Sequence, residues 1–350
     1  MAIPASQAKA LFTQMLIDVY QERIAPPTFL RSFFPDKFTP TKYVSIEVER
    51  MGENVAVDVM RGTEGNRNTF SKSTEKIYYP PFYREFFDAT NEDLYDRVLG
   101  SEGSTNTQLF TALLNRVADR LQALQDKIER RKELQCAQVL FGDGVVTMKN
   151  GDNIDFGRKA ASIVNTPSQY FAANNDPFAV FQNGCKFIRE NGRTNDAVFN
   201  AILGETALTN LLANTKFTAR QNLFNMALDQ VIGPVRNATG ASYHGTITAG
   251  SYKVQLWAYP QSYKDPDTGT TTQYVDAKKL TIIPVNPRFV MAHCAVPQLI
   301  DQPGQTPQQG PYVIGNYKDP RKVADEFDIQ SAFVAVPVAV DQIYTQQVVE

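Results

Sequence analysis

The sequence predicts an α+β protein built on one very long helix, and three observations carry that reading. From Thr105 to Gly142, apolar side chains recur at Phe110, Leu114, Val117, Leu121, Leu124 and Ile128. That alternation of four and three keeps one stripe of a helix facing one surface. Before it, Val44, Ile46 and Val48 and then Val55, Val57 and Val59 alternate with polar residues, the period of half-buried strands. After it, Phe327–Val340 (FDIQSAFVAVPVAV) alternates and then runs apolar, as a strand in a covered sheet does.

In chain order, Ser6–Ile24 has helical spacing at Leu11, Phe12, Met15, Leu16, Val19 and Tyr20, and Pro26-Pro27 ends it. Thr28–Phe34 (TFLRSFF) follows, either a packing segment or an anchor for another subunit. The strand Lys42–Arg50 leads through the turn at Gly52 into the second valine strand. Between Met60 and Ile77 the chain is polar and turn-rich, with no apolar face to bury, which suits a loop or an arm that orders against a neighbour. Tyr78–Phe87 (YYPPFYREFF) then crowds its aromatics together, as a local core or an interface would.

Thr105 and Gln108 form a capping-box pair at the start of the long helix, and Gly142 supplies its left-handed stop. Its stripe drifts at Arg130 and resumes at Leu134, Ala137 and Phe141. At about 1.5 Å per residue the rod is about 54 Å long. It needs a sheet, a neighbouring chain or a bundle partner to lie on. Lys149-Asn-Gly151 marks a hairpin between Val145–Thr147 and Asn153–Phe156. Asp176-Pro177 opens a helix through Ile188, with the proline at the first helical position. Ala197–Leu203 reads as a buried strand, followed after Gly204 by a short helix to Asn214 and another over Ala219–Ile232. Strands are expected at Ser251–Tyr259 and Lys279–Ile283 around the turn Asp265–Gly269, so the middle third mixes helices and strands. Gln298–Tyr312, rich in Pro, Gln and Gly, reads as a linker. Pro337 argues that the strand holding it lies at an edge or a bulge, and Gln342–Val349 is a last short strand.

Composition and motifs narrow the function. The 350 residues carry a net charge of −2 and 21% charged residues, which gives no electrostatic case for binding nucleic acid over the whole surface. No apolar run approaches a membrane span, and Met1–Gln14 lacks the pattern of a secretory signal. Cys136, Cys185 and Cys294 are odd in number and far apart, which suits a reducing cytoplasm, so the sequon at Asn237 is read as chance. There is no G-x-S-x-G, G-x-x-x-x-G-K or G-x-G-x-x-G spacing; Gly240–Gly245 has a similar look to the first but the wrong spacing. His244 and His293 are the only histidines, and no second cluster completes a metal site with His293-Cys294. Asp152 and Asp155 beside the hairpin are explained by turn chemistry. No enzyme, cofactor or metal is expected.

Three stretches in order carry a resemblance: Thr28–Phe34, Ile154-Asp-Phe-Gly-Arg158, and the terminal Asp325–Val349. With the order of elements between them, they resemble the major capsid protein family of phage lambda, whose members carry a similar "FLR-FF" segment, a "DFGR"-like segment and a C-terminal "QSA-P" strand. The resemblance implies a Hong Kong 97-type capsid fold. It implies an N-terminal arm over 1–40, an extended β-hairpin loop over 41–90, and a peripheral domain over 91–175 with a spine helix at 105–141. A mixed α/β axial domain would cover 176–297, and 298–350 would return to the peripheral domain as C-terminal strands. The implied function is the head protein of a tailed phage or prophage, self-assembling as hexamers and pentamers into an icosahedral shell around double-stranded DNA without sequence-specific binding. It would assemble in the bacterial cytoplasm and reside in the virion. Phe29, Leu30, Phe33 and Phe34 are then expected as arm anchors on a neighbour. Arg61, Arg67 and Phe70 would make loop contacts, and Tyr78, Tyr79, Phe82 and Tyr83 would pack the loop's base. With no extra N-terminal domain of about a hundred residues, a separate scaffold and protease are expected, beside a portal and a decoration protein; Lys72 or Lys76 could join an asparagine in a cross-link. The rival readings are a phage tail or adhesion module forming a monomer or small ring, and a hydrolase acting through His244 or His293-Cys294.

Overall fold

The apolar stripe of the long helix is spent on a sheet. A computed structural model of the chain describes residues 24–49, 73–90, 106–149, 151, 153–165, 170–172, 175–223, 235–236, 239–296, 309–319 and 324–350. The helix runs Asn106–Phe141, within one residue of its reading from the sequence at each end. Ile128, Cys136, Ala137, Leu140 and Phe141 are buried along its inner side. They lie against a five-stranded sheet whose central strand is Ala324–Pro337. That strand pairs antiparallel with Val313–Asp319, Phe82–Thr90 and Phe289–His293, and Asp36–Phe38 adds in parallel beside the last of these. The Gln135 side chain accepts a hydrogen bond from the Ala335 backbone, and Tyr83 stacks on Phe333 beneath the helix.

A seven-stranded mixed sheet forms the second layer. Its order is Ile163–Val164, Tyr344–Gln347, Lys279–Pro284, Val198–Leu203, Tyr252–Ala258, Ser242–Ala249 and Val235–Arg236. The helix Phe178–Asn191 covers it with Phe178, Phe181, Cys185 and Ile188, which are all buried. The shorter helices Glu205–Ala213 and Thr215–Leu223 add Ala207, Leu211 and Phe217 to the same core. A separate hairpin, Val44–Glu49 with Ser73–Tyr78, pairs only with itself among the described residues.

Several expectations change. The partner of Val44–Glu49 is Ser73–Tyr78, a stretch read as loop, because Lys76, Ile77 and Tyr78 continue an extended run into the aromatic segment. The valine strand at 55–59 and the residues 61–70 lie outside the described residues. Pro177 occupies the N-cap and not the first helical position. The helix placed at Ala219–Ile232 starts earlier, at Thr215, where the Asn214 side chain caps the Phe217 amide; it is described as far as Leu223. Pro337 is the last residue of a central strand, not part of an edge strand: the ladder ends there, so its missing N–H costs little. The final strand does not return to the sheet under the long helix. A 3-10 turn at Val340–Gln342 breaks the chain's course, and Gln342 accepts from the Arg288 amide and donates to the Gly192 carbonyl. Tyr344–Gln347 is thereby delivered to Lys279–Ile282 in the seven-stranded sheet.

Candidate assembly surfaces

The FLRSFF segment is a strap across both layers. Leu30–Phe33 forms a short 3-10 helix whose first two amides, of Leu30 and Arg31, donate to the two carboxylate oxygens of Glu133 at 2.8 and 2.9 Å. The Tyr259 hydroxyl donates to the same carboxylate at 2.5 Å, which brings in the seven-stranded sheet. Burial pushes the Glu133 carboxyl up to about 7, against the lowering effect of those three donors. Arg31 pairs with Glu129 and with Asp36, and the Asp36 carboxylate in turn accepts from His293 Nε2 at 2.9 Å. Lys132, fully buried, donates to Glu129 and the Tyr312 hydroxyl and lies over the Tyr312 and Phe333 rings. Burial holds its pKa below the usual lysine value.

The strap's apolar side chains are consumed within the chain. Phe29, Leu30 and Phe34 are each at most 4% exposed; Phe29 packs on Trp257 and Tyr259, and Phe34 stacks on Phe289. Phe33 sits edge-on to Phe29 and is partly buried. Of the two readings open in the sequence, packing segment or anchor on a neighbour, the structure places these four residues as the first. They leave little apolar surface for another subunit.

The surface that remains open lies further along. The hairpin base divides its aromatics between two environments. Tyr78 packs on Phe156, and Tyr83 lies under the helix, its hydroxyl accepting from Arg131 and Gln135. Tyr79 is 67% exposed, Phe82 48% and Phe86 54%, with Ile77 and Tyr43 also exposed beside them. Phe82, Arg84 and Phe86 alternate along one face of the Phe82–Thr90 strand, while Tyr83, Glu85 and Phe87 face the helix side. Phe86 was missed as a candidate in the sequence: aromatics on both faces of the strand cancel the period-2 signal that would have separated inside from outside.

The Asp-Phe-Gly-Arg stretch is a junction. Arg158 is buried and donates to the carbonyls of Leu140, Gly142, Ser162 and Ile343 and to the Thr345 hydroxyl. It thereby joins the end of the long helix to the last strand.

The two histidines and Cys294 have local roles. His244 Nε2 lies 3.0 Å from the Ser242 hydroxyl on the Ser242–Ala249 strand, and burial lowers its pKa. His293 is hydrogen-bonded to Asp36 beside the strap, and burial pushes the Cys294 thiol up to about 11, leaving it protonated and a poor nucleophile at neutral pH. Among the described residues no group of three or more His, Cys, Asp or Glu is placed to hold a metal ion, and no helix is long and apolar enough to cross a membrane.

Comparison with known proteins agrees with a fold of this kind. The chain is similar over its whole length to a prophage protein of Escherichia coli CFT073 that carries a provisional capsid assignment. The TM-score is 0.59 at 16% identity, with 99% of each chain covered. A phage-related protein of Bordetella bronchiseptica RB50 matches with a TM-score of 0.49 at 10% identity, covering 97% of this chain and 96% of that one. The capsid of cyanophage P-SCSP1u matches with a TM-score of 0.48 at 9% identity, covering 94% and 90%. No curated protein matches the chain in sequence. The family pattern described as phage major capsid protein E, in contrast, aligns with residues 12–348. A match over nearly the whole chain, joined to a long helix laid on one sheet and tied to a second, places it: the chain belongs to the phage major capsid protein E family.

Proposed function

We propose that this self-assembling phage head protein builds its icosahedral shell from hexamers and pentamers, with the 41–90 hairpin reaching onto a neighbouring copy. Its role is structural and not enzymatic, as for the family's members. One observation supports the reading most directly: Tyr79, Phe82 and Phe86, close together in sequence, stay about half exposed or more, whereas most of the described large apolar side chains of the two layered sheets are buried. Patches of that kind on a folded chain mark association surfaces. Shell stability then comes from the sum of many modest contacts. In this reading the five-stranded sheet and long helix form the peripheral domain, and the seven-stranded sheet the axial domain that gathers around symmetry centres. Arg61, Arg67 and Phe70 supply loop contacts. Assembly takes place in the host cytoplasm with a separate scaffold, protease and portal, and a decoration protein binds outside. The shell encloses DNA with little attraction from a chain of net charge −2.

The test is to express the chain alone and then with its neighbouring genes, and to measure particle mass by sedimentation and electron microscopy. Closed shells or sheets of hexamers are expected. A monomer or small ring under every condition would instead favour a tail or adhesion module.

A further inference from the structure

Glu133 joins three elements through one buried carboxyl group. The strap supplies the Leu30 and Arg31 amides, the end of the Tyr252–Ala258 strand supplies the Tyr259 hydroxyl, and the long helix carries the carboxyl itself. Among the described residues no cation pairs with it: Arg31 is taken by Glu129 and Asp36, and Lys132 by Glu129 and the Tyr312 hydroxyl. A buried carboxylate held only by hydrogen bonds bears a desolvation cost that its acid form escapes. The acid can still accept from both amides, while its O–H turns to the Tyr259 oxygen.

The groups around the carboxyl fix the sign. Arg31 acts on it from the strap with its positive charge, beside Asp36, which is held below the usual carboxylate range by His293 and Arg31. Glu129, Arg130 and Lys132 share its helix, where burial also keeps Cys136 protonated. Tyr259 and Tyr274 face it from the second layer, their hydroxyls kept protonated by burial and by the Glu133 charge. His293 stands behind Asp36, and burial makes it give up its proton more readily than a free histidine. For Glu133 itself burial outweighs the three donors and Arg31, so the carboxyl titrates at about 7.

The strap is fastened separately on both sides of this point. Downstream, Phe34 stacks on Phe289 and the Pro35 carbonyl accepts from the Met291 amide; upstream, the Thr28 amide donates to the Thr239 carbonyl. Between these fastenings the Leu30–Phe33 turn rests on Glu133. We infer that Glu133 is a proton-operated latch: its acid form holds Phe29–Phe33 closed over the long helix and the seven-stranded sheet, and its ionised form lets that stretch lift while the body stays folded. Lifting returns the carboxyl to water and to its ordinary value of 4.5, so closure is favoured in full below that value and the advantage is gone above about 7. Opening breaks the Tyr259–Glu133 tie between the layers. Arg158, still charged here, keeps the end of the long helix joined to the last strand.

Hydrogen exchange of the Leu30 and Arg31 amides, followed by NMR in the unassembled chain, reads the latch directly. Protection is taken at each pH relative to the unfolded chain. From pH 5 to pH 8 it is expected to fall about 70-fold more in the unaltered protein than in Glu133→Gln, a comparison that cancels the opposing titration of His293. At pH 8 it should lie at least about tenfold below that of the Cys185 and Leu256 amides, which mark unfolding of the body. Tyr259→Phe removes one donor from the carboxylate and should carry the fall to higher pH, which keeps the test open if the glutamine variant does not fold. An equal pH response with glutamine at 133, or a fall that Tyr259→Phe leaves in place, would overturn the latch. Strap amides as protected as Cys185 and Leu256 would overturn it as well, since the strap would then open only with the whole fold. No outcome depends on shells, so the capsid reading stands or falls separately.

Discussion

Glu133 is the side chain on which the strap depends, and its acidity makes that dependence measurable. A carboxyl raised from 4.5 to about 7 by burial keeps its proton in the folded chain where the unfolded chain has lost it. Between those two values stability therefore falls as pH rises; the contribution is full below about 4.5 and gone above about 7. The shift corresponds to about 3 kcal/mol. His293, whose pKa burial lowers, works in the opposite sense below pH 6.5, so the raw profile mixes the two. Comparing the protein with its Glu133→Gln variant isolates Glu133: the fall in unfolding free energy from pH 5 to pH 8, measured by urea titration of the unassembled chain, should shrink by about 3 kcal/mol. An unchanged profile would mean that the carboxylate stays ionised on its three donors. Leu30 gives an independent check on the strap. It is wholly buried, and Leu30→Ala should cost about 2–5 kcal/mol in the same titration; a cost near zero would return the segment to the role of an external anchor.

At the scale of elements, the junction around Arg158 holds together pieces distant in sequence. Its guanidinium donates to the carbonyls of Gly142, just past the long helix, and Ile343, just before the last strand, and burial lowers its pKa to about 10, still charged at neutral pH. Arg158→Met would leave those carbonyls without donors and should cost at least about 3 kcal/mol. Gly144 is part of the same junction. Its φ of 76° disfavours any side chain, and a Cβ there would lie 2.6 Å from Arg158 Cδ. Gly151 has a similar φ of 84° but open space around it. Gly151→Ala should therefore cost about 1 kcal/mol and Gly144→Ala clearly more; equal melting temperatures for the two variants would show that Arg158 simply moves aside. This junction also marks where the sequence stopped being legible. The long helix, the Lys149–Gly151 hairpin and the Val198–Leu203 strand follow from local period and turn chemistry, and they stand within a residue or two of expectation. Strands such as Phe289–His293 and Ser242–Ala249 were not read, because both their faces are largely buried or a bulge at His244 interrupts the alternation. The burial of Phe29, Leu30 and Phe34 was equally hidden: an apolar run reports that something must cover it, not whether the cover is the same chain.

At the scale of the whole molecule, the two hydrophobic cores lie in the layered body, and among the described side chains the hairpin adds to them only Val44 and the packing of Tyr78. Folding and assembly should therefore be separable. Deleting Arg61–Thr74 removes the far end of a two-stranded ladder that touches no other strand among the described residues, so the body keeps its cores and its strap. The unassembled variant should melt within a few degrees of the intact chain, since a loss of about 1 kcal/mol moves the midpoint of a chain this large by only a few degrees. Normal closed shells should nevertheless be absent, because each copy would lack the end of the hairpin proposed to reach onto its neighbour. Electron microscopy of the assembled material reads the second outcome and a thermal melt the first. A variant that no longer folds would place the hairpin in the body's stability; one that folds and still closes normal shells would remove the loop from assembly and leave the strand face to another partner.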